Sequence, residues 1–203
     1  MKSNTKLKLL FYFTVAYMFL FTVMALINGN YEFLFYTAIM TIMIFIIMAF
    51  YDKFHFTVGT IFWLTIFIAF HIFGELVHIG SIKLYDFWLL GHFIHYDNLV
   101  HFSGSVFVTF FTYNFLAPHL KRTLSKNKLF LGIILILIAS GFGAINEIIE
   151  LCAVVFLNAK GVGGYFNNAI DLVVNFLGAT VASIYLLNSK KFNKKLIIND
   201  NKK

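Results

Sequence analysis

Asp, Glu, Lys and Arg are absent from six long stretches of the chain: 9–31, 33–51, 54–74, 98–120, 129–146 and 172–189. A bilayer core about 30 Å thick takes about 20 residues of helix, so each stretch spans or nearly spans it. The pattern predicts six membrane-spanning helices, near 9–28, 33–51, 57–78, 97–117, 129–153 and 168–187. The fifth and sixth reach full length only by taking in carboxylates. The fifth runs on through Glu147 and Glu150, and the sixth starts just before Asp171. The first is too long and too rich in phenylalanine for a cleaved signal peptide, and no small-x-small cleavage site follows it; it is expected to stay as a mature helix.

Composition sharpens this to one class. Of 203 residues, 60% are apolar and 12% charged, about half the charge density a water-soluble surface needs. A single proline and the lack of any Gly/Ser/Pro-rich linker mark no second domain. The expected fold is therefore all-α, one polytopic integral-membrane domain over 1–203. Cys152 is the only cysteine, which excludes an intrachain disulfide and a cysteine-based metal site.

A net charge of +7 would suggest nucleic acid if it were clustered on one face. It is instead distributed as membrane topology requires. Lys2, Lys6 and Lys8, then Lys53, then Lys121, Arg122, Lys126 and Lys128, and finally the six lysines after residue 189 all fall on one side of a six-span chain, and only Lys83 and Lys160 fall on the other. By the positive-inside rule both termini are cytoplasmic. The expected partners are membrane lipids, with no nucleic acid. The segment between the third and fourth spans, Ile79–Tyr96, is too long for a tight turn and too broken to span. Its Tyr85, Phe87, Trp88, Leu89 and Leu90 suit an amphipathic collar in the outer interface.

Ionisable groups inside a membrane cost about 2.5–3.5 kcal/mol each at mid-helix, and four spans carry them at helical spacing. His71, Glu75 and His78 are i, i+4 and i+7 on the third; Asp97 and His101 are i, i+4 on the fourth; Glu147 and Glu150 are i, i+3 on the fifth; Asp171 and Asn175 are i, i+4 on the sixth. Each set lies on one helical face. The third and fifth spans run outward and carry the set at their ends, whereas the fourth and sixth run inward and carry it at their starts. All four faces therefore share the outer half of the membrane. One buried His or Asp is more often a helix–helix hydrogen bond than a site, but five carboxylates and three histidines at one depth point to an extracytoplasmic polar cavity. His92 and His95 read as ordinary loop histidines, and His55 and His119 sit at the cytoplasmic ends.

Clustered carboxylates repel, so protons or a cation must compensate them. Asp, Glu and His without Cys suit a divalent metal, with Zn, Mn or Fe favoured over Ca by the imidazoles. The expected ligands are Asp97, His101, Glu147 and Glu150, with Asp171 or Glu150 as catalytic base and His71, Glu75, His78 and Asn175 as supporting polar groups. Glu75-x-x-His78 has the spacing of a carboxylate-bridged metal helix, but lacks the second copy such a site needs. No Gly-x-Ser-x-Gly elbow, His-Glu-x-x-His, Walker loop or dinucleotide fingerprint is present. Gly161–Gly164 reads as a flexible outer turn. These residues suggest metal-dependent hydrolysis or transfer on a lipid or lipid-linked envelope precursor. The alternatives are a proton- or cation-coupled transporter, which the absence of acidic residues and histidines from the cytoplasmic halves of the spans disfavours, and a non-catalytic membrane subunit.

The segment Tyr96-Asp97-Asn98-Leu99-Val100-His101-Phe102 resembles the Tyr-Asp-x-x-Val-His-Phe segment of the YjdF-like (DUF2238) bacterial membrane proteins. Glu147-Ile148-Ile149-Glu150 is similar to that family's Glu-x-x-Glu helix, and Asp171 with Gly178-Ala179 to its following Asp...Gly-Ala helix. More loosely, the order of these helices is similar to VanZ-like proteins. The resemblance covers about the second half of the chain and implies a multi-pass protein of the prokaryotic cell membrane with its site at these positions; it implies no particular reaction. Where the YjdF-like family often has a further Asp before the last helix, this chain has Asn167 and Asn168.

Overall fold

The computed structural model describes residues 5–50, 53, 56–91, 93–120, 127–159 and 163–189, apart from the side chain of Glu32. Its six long helices are α1 (Thr5–Asn28), α2 (Tyr31–Ala49), α3 (Val58–Leu76), α4 (Tyr96–Leu116), α5 (Lys128–Leu157) and α6 (Tyr165–Asn188). All but α2 are long and apolar enough to cross a membrane, and within α2 the apolar run is Phe33–Ala49. Much of the basic charge that orients the chain, at 2, 121, 122, 126, 160 and beyond 189, lies outside the described residues, as do His55 and His92.

Nearly featureless apolar runs become discrete helices because polar residues punctuate them. Asn30 caps α2 by accepting from the Phe33 N–H, Thr57 caps α3 by accepting from that of Thr60, and Asn127 caps α5 by accepting from that of Phe130. Each satisfies one of the backbone donors that a helix start leaves open. Asn158 ends α5 in the left-handed conformation, φ 53°, which asparagine tolerates better than most residues.

Helix α4 is the centre of the bundle, packing against α3, α5 and α6. In lipid there is little hydrophobic drive between apolar helices, so small and hydroxyl residues decide which faces meet. α4 buries Ser103, Ser105, Thr109, Thr112 and Asn114. Asn114 donates to Thr60 Oγ1 of α3 at 2.8 Å, and Ser105 donates to Asn175 Oδ1 of α6 at 2.8 Å. Gly178 of α6 lies so close to α4 that a Cβ there would sit 2.6 Å from the Phe102 carbonyl oxygen. On the other flank α1 packs on α2 and α3, pinned by the Thr14–Thr65 hydroxyl pair at 2.8 Å and by Tyr17 donating to the Thr65 carbonyl at 3.0 Å.

The chain between α3 and α4 is more ordered than an interfacial amphipathic piece. Strands β1 (His78–Ile79) and β2 (Ile82–Lys83) form one antiparallel hairpin, and β3 (Trp88–Leu90) and β4 (Ile94–His95) form a second, with a 3-10 turn at Leu84–Asp86 between them. Strands this short carry no readable period-two pattern, which is why an all-α reading passes over them. The hairpins are fastened down by Tyr85, whose ring fills the notch left by Gly74 on α3; a Cβ at Gly74 would stand 2.9 Å from it.

Candidate metal centre and cavity

The C-terminal part of α3, the start of α4, the C-terminal half of α5 and the start of α6 converge at one end of the bundle, and His101 is the hub. Its buried ring has carboxylates on both sides. Nε2 lies 3.5 Å from Asp97 Oδ1, 3.5 Å from Glu150 Oε1 and 3.9 Å from Asp171 Oδ1, while Nδ1 lies 3.3 Å from Glu147 Oε1. Asn175 Nδ2 is 3.4 Å from the same Nδ1. Helical spacing produces part of this directly, since Asp97 and His101 are one turn apart on α4 and Glu147 and Glu150 share a face of α5. The meeting of the three helices around one imidazole is tertiary.

Among the described residues, two sets of donors lie close enough to hold a metal ion: Asp97, His101 and Asp171, and His101, Glu147 and Glu150, with the atoms in each within 4.8 Å of one another. Four carboxylates about a single imidazole cannot all be ionised without a compensating charge. The chain supplies neutral donors instead. Asn98 donates to Asp171 Oδ1 at 2.7 Å and Asn167 to Asp171 Oδ2 at 2.8 Å; Asn168 donates to Glu147 Oε2 at 2.6 Å and Asn146 to Glu150 Oε1 at 2.6 Å. Asn167 also reaches Asp97 Oδ2 at 3.3 Å. Glu147 Oε1 is left buried without a hydrogen-bond partner among the described residues, its 3.3 Å approach to His101 being a charge contact rather than an aligned hydrogen bond.

These amides are what the sequence pattern did not single out. Asn167, Asp171 and Asn175 are spaced i, i+4, i+8 and Asn146 is four before Glu150, so the helical register held the signal. The bond from Asn98 to Asp171, 73 residues apart, has no local trace. At 167 and 168, where the resemblance leads one to expect a further acid, amides contribute donors to Asp97, Asp171 and Glu147 instead of adding to the repulsion.

The other sequence-predicted residues divide. His71 and Glu75 line the same cavity as His101, Asp97, Glu150 and Asn175, but belong to a separate polar lobe. Lys83 Nζ pairs with Glu75 Oε1 at 2.8 Å, and Asn30 Nδ2 donates to the same oxygen at 2.9 Å. Tyr85 bonds His71 Nδ1. Burial, with Asp97, Glu150 and Glu75 nearby, pushes the Tyr85 hydroxyl above its ordinary range, so it stays protonated and donates. A neutral His71 then carries its proton on Nε2, which is buried and has no partner among the described residues. His78 stands outside the cavity: it is exposed on β1, with Nδ1 3.2 Å from the Leu76 carbonyl oxygen. The i, i+7 stripe fails there because α3 ends at Leu76. Asp171 is fully buried with both oxygens engaged by amides, a poor position for the base expected of it. Glu150 faces the cavity.

A family model described as a predicted membrane protein, DUF2238, matches residues 9–191, a span that takes in every residue of the His101 centre. No curated protein and no solved structure matches the chain.

Proposed function

The chain belongs to the DUF2238 family of predicted membrane proteins, and we propose that it is a metal-dependent hydrolase or transferase of the cell membrane, with six spans, both termini cytoplasmic and its centre in the outer half of the bilayer. The observation that carries the reading is the ring of His101, with the oxygens of Asp97, Glu150 and Asp171 all within 3.9 Å of Nε2. Buried charges of one sign need a counter-charge, and a divalent ion supplies two positive charges while accepting both imidazole and carboxylate ligands.

Asp97, His101 Nε2 and Asp171 are the ligands in this reading. Glu147, 3.3 Å away on the Nδ1 side, holds the ring by charge, in the place where carboxylates stand behind metal-bound histidines. Relative to the set expected from sequence, Asp171 takes the place of Glu147, because the two acids face different ring nitrogens, and Glu150 is kept as base rather than ligand. A bound divalent ion supplies polarisation of a substrate oxygen and acidification of water. Glu150 faces the cavity and takes the proton of the attacking water, then returns it to the leaving group. Asn146, which donates to Glu150 Oε1, fixes that carboxylate's orientation.

Elemental analysis of the protein purified through detergent exchange tests the centre. Wild type is expected to keep about one equivalent of Zn, Mn or Fe, and His101→Ala almost none; Glu147→Gln is expected to bind about 10–100-fold more weakly, as for other partners behind a metal ligand. Absence of metal from wild type at every pH tried would overturn the hydrolase reading in favour of carboxylates that hold protons, as in proton-coupled transport.

Orientation has its own test, in a Cys152→Ser background. A membrane-impermeant maleimide applied to intact cells is expected to label Ser81→Cys, in the turn of the first hairpin, and to reach His119→Cys, past the end of α4, only after permeabilisation. The reverse pattern would move the centre to the cytoplasmic half.

A further inference from the structure

The cavity beside His101 has a volume of about 320 Å³, at the low end of the roughly 300–1,000 Å³ usual for small-molecule sites. Its walls are unlike one another. Toward the hairpins they carry Glu75, Lys83, Tyr85, Asp86, Asp97 and Glu150; toward the bundle middle they are Ile39, Met40 and Met43 of α2, Phe107 and Val108 of α4, and Phe142 and Ile145 of α5. Phe142 and Ile145 line the cavity and are also 46% and 49% exposed, on a helix whose neighbouring Ile148 and Leu151 are exposed too. The cavity therefore opens sideways, along the seam where α2 and α5 barely touch, onto the surface that faces lipid.

We propose that this cavity binds a single-chain amphiphile with a head of no net charge, the chain lying along Met40, Met43, Phe107, Val108 and Phe142 and the head between Tyr85 and His101. The apolar wall buries methylenes beside a polar end, and the side opening lets the rest of a long chain remain in the bilayer. A volume of about 320 Å³ suits one hydrocarbon chain beside the head. Charge selects the head. Among the described residues Lys83 is the only Lys or Arg on the wall, and it is paired with Glu75 at 2.8 Å. Asp86 adds negative charge, and the two positive charges of a divalent ion are matched by its ligands Asp97 and Asp171, so an anionic head meets like charge with no spare cation to offset it. This names the substrate class of the site proposed above: the head's place rests on that reading, and the chain's place rests on the cavity alone.

The test uses lysophosphatidylcholine bearing a diazirine in mid-chain, irradiated with the full-length protein in nanodiscs, the adducts being mapped by mass spectrometry. Adducts are expected on 39–43 of α2, 107–108 of α4 or 142–145 of α5. Met43→Trp and Val108→Trp, which fill the cavity, should each lower their yield about tenfold without changing metal content. Unlabelled lysophosphatidylcholine should compete about tenfold better than lysophosphatidylglycerol of the same chain, and better than two-chain phosphatidylcholine. Adducts confined to the lipid-facing sides of α1 and α5 and indifferent to both tryptophans would overturn the chain site. Equal competition by the anionic lipid would overturn the head assignment, and equal competition by the two-chain lipid would overturn the single-chain limit. Metal content of the same samples separates the two readings: labelling without metal sinks the metal centre alone, and metal without labelling sinks the amphiphile site alone.

Discussion

Asp171→Asn is expected to remove the stabilisation that the protein gains from added divalent metal. A ligand that binds only the folded state contributes about 2.7 kcal/mol at a hundred times its dissociation constant. Asp171 is one of three donors within 4.8 Å, and an amide in its place brings no charge. The same change has a cost unrelated to metal. Both Asp171 oxygens accept from amides, Asn98 at 2.7 Å and Asn167 at 2.8 Å, so asparagine must turn its own N–H2 toward one of them. A buried donor left facing a donor costs about 1–3 kcal/mol, opposed by the relief of repulsion from Asp97. In chelator the two proteins should therefore melt close together, and in excess metal they should separate widely. Thermal unfolding in detergent under both conditions is the measurement. A metal-induced rise in melting temperature that survives the substitution would remove Asp171 from the ligand set.

Gly178→Leu is expected to separate α6 from α4 and to destabilise the protein by about 3 kcal/mol, the upper part of the usual range for overpacking. The obstacle to a Cβ at Gly178 is the backbone carbonyl of Phe102 at 2.6 Å, with Ser105 Cβ at 3.2 Å behind it, and a backbone cannot rotate away as a side chain can. Phe102 follows His101, and Ser105 donates to Asn175, so the displacement passes into the metal centre. Lower yield of folded protein and loss of metal are expected together. Retention of both would mean that the α4–α6 contact is looser than the structure has it. Gly141, with nothing within 4 Å of a Cβ, is the control: Gly141→Ala should leave folding and metal content unchanged.

Local pattern determined the helices and much of the site. Uncharged runs about as long as a bilayer is thick leave the backbone no option but helix, and carboxylates at i, i+3 and i, i+4 fall on one face whatever the surroundings. Spacing and shared depth alone therefore group Asp97, His101, Glu147, Glu150, Asp171 and Asn175. The family match over 9–191 agrees with the resemblance of the segments around His101, Glu147 and Asp171. Tertiary structure decided what spacing along a helix cannot hold. It set which ring nitrogen each acid faces, and it left His71 and Glu75 in a second lobe bound to Tyr85 and Lys83. It also brought Asn98 to Asp171 across 73 residues. His78 shows the boundary between the two: its periodicity suits a helix that continues, but α3 stops two residues earlier, where Tyr85 and the hairpin take over the packing. The reason is one of range. Helical register is set by backbone geometry within a turn or two, whereas partner choice between helices depends on close approach at a few small residues such as Gly74 and Gly178, whose neighbours lie far away in the chain.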